Sequence, residues 1–413
     1  MFRRIEMTGF TICEPPRPRR RSELARDFIA VLTLLTTLAC GTAFASSPEE
    51  IDALAKSAAK AEPAAIVKLL DLARAGDADA QVRVGSLYYE GQVVQRDFAL
   101  AMEWFRKAAK RNQTQAMNLI GHLHQEGLGV PRDYAQARLW YKQAAEQGDA
   151  AAASNLGWLY LKGYGSGKSA VLAREWFERA AAKEFPAALY NLGYTYAEGS
   201  GTSREPARAL ELYRRAAGHG YAAAMRAIGW HYQTGQGVTR DYAQAKDWYE
   251  KAAQQGDAGA DALLGQLYQQ GYGVARNPDT ARRHYEKAAA GGDPNGQLFL
   301  GWLYQQGVSV AQDYRAALDW YQKSAEQGNA TAMNNVGYLY EQGLGAARDA
   351  KQAFAWYRKA AELDEPTALF NVGLMYEEAR GVERDVNAAF SYYQRAADRG
   401  HQEARRILGK AGR

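Results

Sequence analysis

Trp158, Tyr194, Trp230, Trp302 and Tyr338 each stand directly after a glycine that recurs at intervals of 36 residues, and His122 holds the same place in another copy. Such rings present a flat apolar face and a polar edge, suited to stacking on a peptide side chain or a sugar, and one anchoring aromatic can contribute about 2 kcal/mol or more. Tyr190 and Phe370 fall on the neighbouring arc, together with Asn155, Asn191, Asn335 and Asn371, whose amides both donate and accept hydrogen bonds. At about 100° per residue, the position after the glycine points roughly 150° from the centre of the apolar stripe of its helix. This places the aromatics as a rail along a concave surface, where they would meet a partner. The same spacing also fits rings that pack on the adjacent repeat and complete the core, and the sequence leaves both readings open.

Catalytic patterns are thin by comparison. Ser57-Ala58-Ala59-Lys60 matches the S-x-x-K of penicillin-binding serine enzymes, but the accompanying S-D-N and K-T-G patterns are absent. An envelope serine hydrolase therefore stays a remote alternative. Gly163-Tyr164-Gly165-Ser166-Gly167-Lys168-Ser169 has three residues between its outer glycines where a phosphate loop has four. It also joins two helices, whereas a phosphate loop follows a strand, and Ser169 reads better as a helix cap. His122 and His124, two apart on a helix, face different ways, and the six histidines show no metal spacing. No cofactor, metal site or catalytic residue is expected.

The N-terminal segment reads as an address. Residues 1–45 hold seven arginines against four acids, and Arg17, Arg19, Arg20, Arg21 and Arg26 precede an apolar run from Phe28 to Ala39 that is too short to span a bilayer. Ala43-Phe44-Ala45 fits an A-x-A cleavage pattern, which would leave Ser46 as the mature N-terminus. Cys40 is a competing lipid-attachment site, and the arginine run weakly resembles a twin-arginine signal. Export to the periplasm or beyond is the expectation. Both cysteines, Cys13 and Cys40, lie in this segment, so cleavage after Ala45 leaves no disulfide and no thiolate nucleophile. The remainder carries 44 basic and 42 acidic residues, a balance that offers no footprint for nucleic acid. No later segment is long and apolar enough to cross a membrane.

The elements that position these residues follow from self-similarity. A glycine recurs from Gly85 through Gly121, Gly157, Gly193, Gly229, Gly265, Gly301 and Gly337 to Gly373 without an insertion. In one copy Ala332, Val336, Leu339 and Tyr340 form one helical stripe, and Ala353, Tyr357, Ala360 and Ala361 form a second. Gly343-Leu344-Gly345 lies between them, and Asp349 caps the second helix. Asp133 with Gln136, Asp241 with Gln244 and Asp349 with Gln352 resemble capping boxes. A single helix pair cannot bury both stripes, so neighbouring copies must stack. A glycine inside a helix costs about 1 kcal/mol against alanine, and its ninefold recurrence suggests that another backbone passes close by. A second column, Trp104, Trp140, Trp176, Trp248, Trp320 and Trp356, reads as structural.

The expected organisation is an export segment at 1–45, capping helices at 46–76, nine repeats at 77–400 and a capping helix at 401–413. The pattern Leu-Gly-x-x-Tyr, Gly-x-Gly-Val, Asp-x-x-x-Ala-x-x-Trp-Tyr-x-x-Ala-Ala and Gly-Asp resembles the Sel-one-like repeat family, a branch of the tetratricopeptide-like solenoids. It is clear from Asn118 to Asp149 and from Ala222 to Asp257, with local departures at Ser169, Ser309 and Ala379. The resemblance implies an all-α, right-handed α/α solenoid whose first helices line a concave face. It also implies an adaptor role in multiprotein assemblies, often at the bacterial envelope. One branch of the family is disulfide-bonded and linked to penicillin binding; this chain lacks its paired cysteines, so that activity is not carried over. The expectation is a non-catalytic scaffold for envelope proteins or peptides, with a cell-wall or exopolysaccharide-binding module as the alternative.

Overall fold

A computed structural model describes residues 47–411, and among them are 21 α-helices and no strand. The proposed export segment, with Cys13, Cys40 and the Ala45–Ser46 junction, lies outside the described residues. The chain is an all-α solenoid of consecutive helix pairs, and it divides into two compact units between Tyr221 and Ala222. In the first unit, helices Pro48–Ala59 and Pro63–Ala75 precede four pairs, from Ala78–Glu90 to Pro206–Gly218. In the second, five pairs from Ala222–Thr234 to Val386–Asp398 are followed by a lone helix, Gln402–Ala411. Within each unit a first helix packs on the second helix of its own pair, and that second helix packs on the next first helix.

Local chemistry sets the helix ends. Asp349 has an extended backbone, and its carboxylate accepts from the amides of Lys351 and Gln352. Asp133 and Asp241 accept likewise from Gln136 and Gln244, and Ser169 caps through the amide of Leu172. The same capping residue closes the preceding loop, because the Asp349 amide donates 2.9 Å to the carbonyl of Tyr340. Gly343 ends the first helix in the left-handed region at φ +70°, where a side chain is strained. Ser309 and Ala379 replace loop glycines and still take φ +59° and +56°, so the loop keeps its shape at a local cost. Asp349→Ala is expected to lower stability by about 1 kcal/mol, read as a reduced urea midpoint at unchanged slope.

The core corrects one expectation. A Cβ built on each central glycine would meet an aromatic ring of the same repeat's second helix, at 2.7 Å for Gly337 against Tyr357 and 2.5 Å for Gly229 against Tyr249. The close neighbour is therefore first a ring; backbone follows only as a carbonyl beneath it, such as Ala245 O at 3.0 Å from that Cβ of Gly229. The glycine is the seat in which the largest core side chain of the repeat lies flat against the first helix. Tyr141, Tyr249, Tyr285 and Tyr321 are fully buried there. Burial pushes their hydroxyls above the ordinary tyrosine range, so they remain protonated donors.

Each such hydroxyl needs an acceptor, and the repeat supplies one. Tyr141, Tyr249, Tyr285 and Tyr321 donate to Gln125, Gln233, Gln269 and Gln305, and Tyr357 and Tyr393 donate to Glu341 and Glu377. The acceptor always lies 16 residues before its tyrosine. Where the ring is Phe105 or Phe177, that place holds Tyr89 or Leu161. A buried hydroxyl without a partner costs about 1–3 kcal/mol, which accounts for the Gln or Glu at that place in six of the seven tyrosine repeats; Tyr213, with Ala197 there, departs from the pattern.

Candidate partner-binding face

The residue after the central glycine keeps part of its surface open in every repeat but the one that holds Gln266. In the first unit Trp158 is half-buried and meets Tyr164 edge-on, with ring centroids 5.3 Å apart. Tyr164 in turn stacks on Tyr134 at 4.6 Å. Tyr194 is half-buried, and the His122 ring nitrogen Nε2 lies 2.9 Å from the Tyr89 hydroxyl of the preceding repeat. Burial lowers the His122 pKa, favouring the neutral ring.

In the second unit Trp230 is half-buried beside His231, and Trp302 packs against the core clusters of two consecutive repeats while keeping part of its surface open. Tyr338 is 41% exposed, the most open of the set, and Asn335 is half-buried three residues before it. Gln266 takes the same register in the intervening repeat and is buried.

The neighbouring arc behaves differently. Tyr190 is only 2% exposed, held between the rings of Tyr213 and Tyr221 at 5.5 Å each, and Asn191 is 6% exposed with its Nδ2 donating to Ser154. The expectation that these two line an open surface is corrected. A first helix is covered on one flank by its partner helix and on the next by the adjoining repeat, so its buried arc is wider than the stripe of one helix pair suggests. Phe370 is likewise drawn into packing, stacked on His401 at 4.4 Å and tilted on Tyr393 at 5.5 Å. Asn155 donates 3.0 Å to Asn118, and Asn371 donates 3.0 Å to Asn334, each reaching one repeat back. These amides tie consecutive first helices together and keep their carbonyl oxygen and second N–H.

In the first unit the face thus holds Trp158 and Tyr194, flanked by Asn155; in the second it holds Trp230, Trp302 and Tyr338, flanked by Asn335 and Asn371. Sequence reasoning missed the stacked tyrosine pairs at the loop edge, Tyr134 with Tyr164 and Tyr242 with Tyr272. Their signal was present: Tyr164 and Tyr272 sit between two loop glycines, and Tyr134 and Tyr242 follow a capping aspartate. Loop tyrosines 38% and 39% exposed extend the aromatic surface beyond the helices.

The other patterns resolve simply. Ser57 lies in the last turn of the first described helix, and Lys60 is its exposed C-cap. The 163–169 segment joins two helices. Among the described residues no group of three or more His, Cys, Asp or Glu is placed to hold a metal, and no helix is long and apolar enough to cross a membrane.

Nine consecutive matches to the Sel1 repeat model run from residue 78 to residue 401, each 36 residues long and without a gap between them. The chain belongs to the Sel1 repeat family. It is similar to a Sel1 repeat protein from Oxalobacter formigenes, with 34% identity over 59% of this chain and 96% of that one and a TM-score of 0.50. It is also similar to a protective antigen of uropathogenic Escherichia coli strains displaying an SLR fold, with 31% identity over 84% of this chain and 90% of that one and a TM-score of 0.41. Among the curated proteins none matches. Sel1 repeat solenoids are typically scaffolds for protein–protein interaction and are generally not catalysts.

Proposed function

We propose that this chain is an exported, non-catalytic scaffold that holds an envelope protein or peptide against the faces lined by the first helices of each unit. The observation that carries this reading is the register of Trp158, Tyr194, Trp230, Trp302 and Tyr338, which keep open ring surface beside amides with unused hydrogen-bonding capacity. Rigid rings lose little conformational freedom on binding, so a row of them anchors an extended ligand efficiently. Export rests on the arginine-rich segment, the short apolar run and Ala43-Phe44-Ala45, with a lipid tether at Cys40 as the alternative.

The test is capture from envelope extract by residues 46–413, beside a bait carrying Trp158→Ala, Trp230→Ala and Trp302→Ala whose helicity is checked by circular dichroism. The wild type should enrich one or more proteins that the folded triple variant loses. Retention of purified peptidoglycan or polysaccharide in a Trp-dependent manner, with no protein enriched, replaces the scaffold by a glycan-binding module. Salt separates the two as well, since charged rims weaken under screening and ring stacking on sugars does not.

A further inference from the structure

The second helices carry their own aromatic column, and its geometry repeats. Trp104 packs on the cluster that contains Ala73 and Val84, Trp320 on that with Ala289 and Leu300, and Trp356 on that with Ala325 and Val336. In each case the alanine belongs to the preceding helix pair, or to the capping helix before the first one, and the aliphatic residue to the first helix of the tryptophan's own repeat. The outer face of the indole lies under a cation three residues on: Lys107 at 3.9 Å, Lys323 at 3.9 Å and Lys359 at 4.2 Å. Two repeats replace the tryptophan by His284 and Tyr392, which are still rings. The fourth repeat has Leu212.

At that repeat the structure shows a solvent-open hollow of about 360 Å³. Its lining includes Ala181 and Leu192, the counterparts of the alanine and aliphatic residues above, with Leu212 and Arg215. Arg215 is the counterpart of the stacking lysines, and here it pairs with Glu184. Glu178, Arg208 and Glu211 complete a charged rim. The position, the floor and the covering cation thus match a slot that elsewhere in this chain holds an indole.

We propose that this hollow binds a planar aromatic ring of indole size, as a small molecule or as a tryptophan side chain presented by another polypeptide. The ring would lie on Ala181 and Leu192 with Arg215 over its outer face. The site is formed mainly by second helices, so its fate is independent of the first-helix face.

The experiment titrates the full chain with indole and with N-acetyltryptophanamide, following heat and the methyl signals of Leu192 and Leu212. Saturable binding with movement of both methyl sets is expected, together with its loss in Leu212→Trp and a higher Tm for that variant. Binding of indole alone assigns a small aromatic molecule; binding of both probes assigns a ring carried on a polypeptide. Absence of saturable binding to either probe overturns the proposal, as does binding unchanged in Leu212→Trp or a lower Tm for that variant. If Leu212→Trp does not fold, the wild-type methyl signals decide: static signals under saturating indole overturn it and movement at both leucines supports it.

Discussion

Arg380→Ala is expected to destabilise the second unit by about 2–3 kcal/mol, somewhat below the roughly 3–5 kcal/mol seen when one partner of a fully buried ion pair is removed. Glu341 is 9% exposed, and one carboxylate oxygen accepts 2.8 Å from the Tyr357 hydroxyl while the other meets the Arg380 guanidinium of the next repeat. Removing the arginine leaves a carboxylate with one hydrogen-bond donor and no compensating charge. The discount from the full figure reflects the Arg380 side chain, which is 31% exposed, so water reaches part of the pair. Gln125, Gln233, Gln269 and Gln305 fill the Glu341 position in other repeats, where a neutral amide oxygen suffices for the tyrosine. Glu341→Gln combined with Arg380→Ala should therefore recover most of the loss. Urea unfolding of the two variants checks this, and a double variant no better than Arg380→Ala would sink the account.

Gly229→Ala should cost about 2 kcal/mol, although helix propensity taken alone favours alanine by about 1 kcal/mol. The new methyl would stand 2.5 Å from the Tyr249 ring and 3.0 Å from the carbonyl of Ala245. The ring is fully buried and tied at its hydroxyl to Gln233, so it cannot swing aside without losing that bond. Relief should come from shrinking the ring: Gly229→Ala paired with Tyr249→Leu should lose less than the sum of the two single variants. A rise in the urea midpoint of Gly229→Ala would show that propensity wins and that the ring does not need the seat.

Much of this molecule is legible in its sequence because a repeat states its constraints many times. The 36-residue period, the two stripes, the Asp349-type caps and the loop glycines all depend on residues near one another in the chain, and the structure places them as expected. The paired change of ring and acceptor, Tyr141 with Gln125 against Phe177 with Leu161, is also written in the register and needs only a reason to look for it.

Helical register gives a side chain's direction about its own axis and is silent on which neighbour covers that direction. Register alone leaves Tyr190 and Asn191 either on an open face or packed on the adjacent repeat, and the adjoining elements bury them. The recurrence of the central glycine suggests a close backbone, and only the packed pair reveals a ring in its seat. At Leu212 the sequence shows no more than a missing tryptophan; that a hollow with an arginine at its edge stands there is settled by tertiary packing. The chain by itself determined the helices, their caps and their stacking, since those follow from local geometry and from apolar stripes that no single pair can bury. Which rings stay open to a partner was decided by tertiary structure alone, because exposure is what remains after every neighbour has been placed.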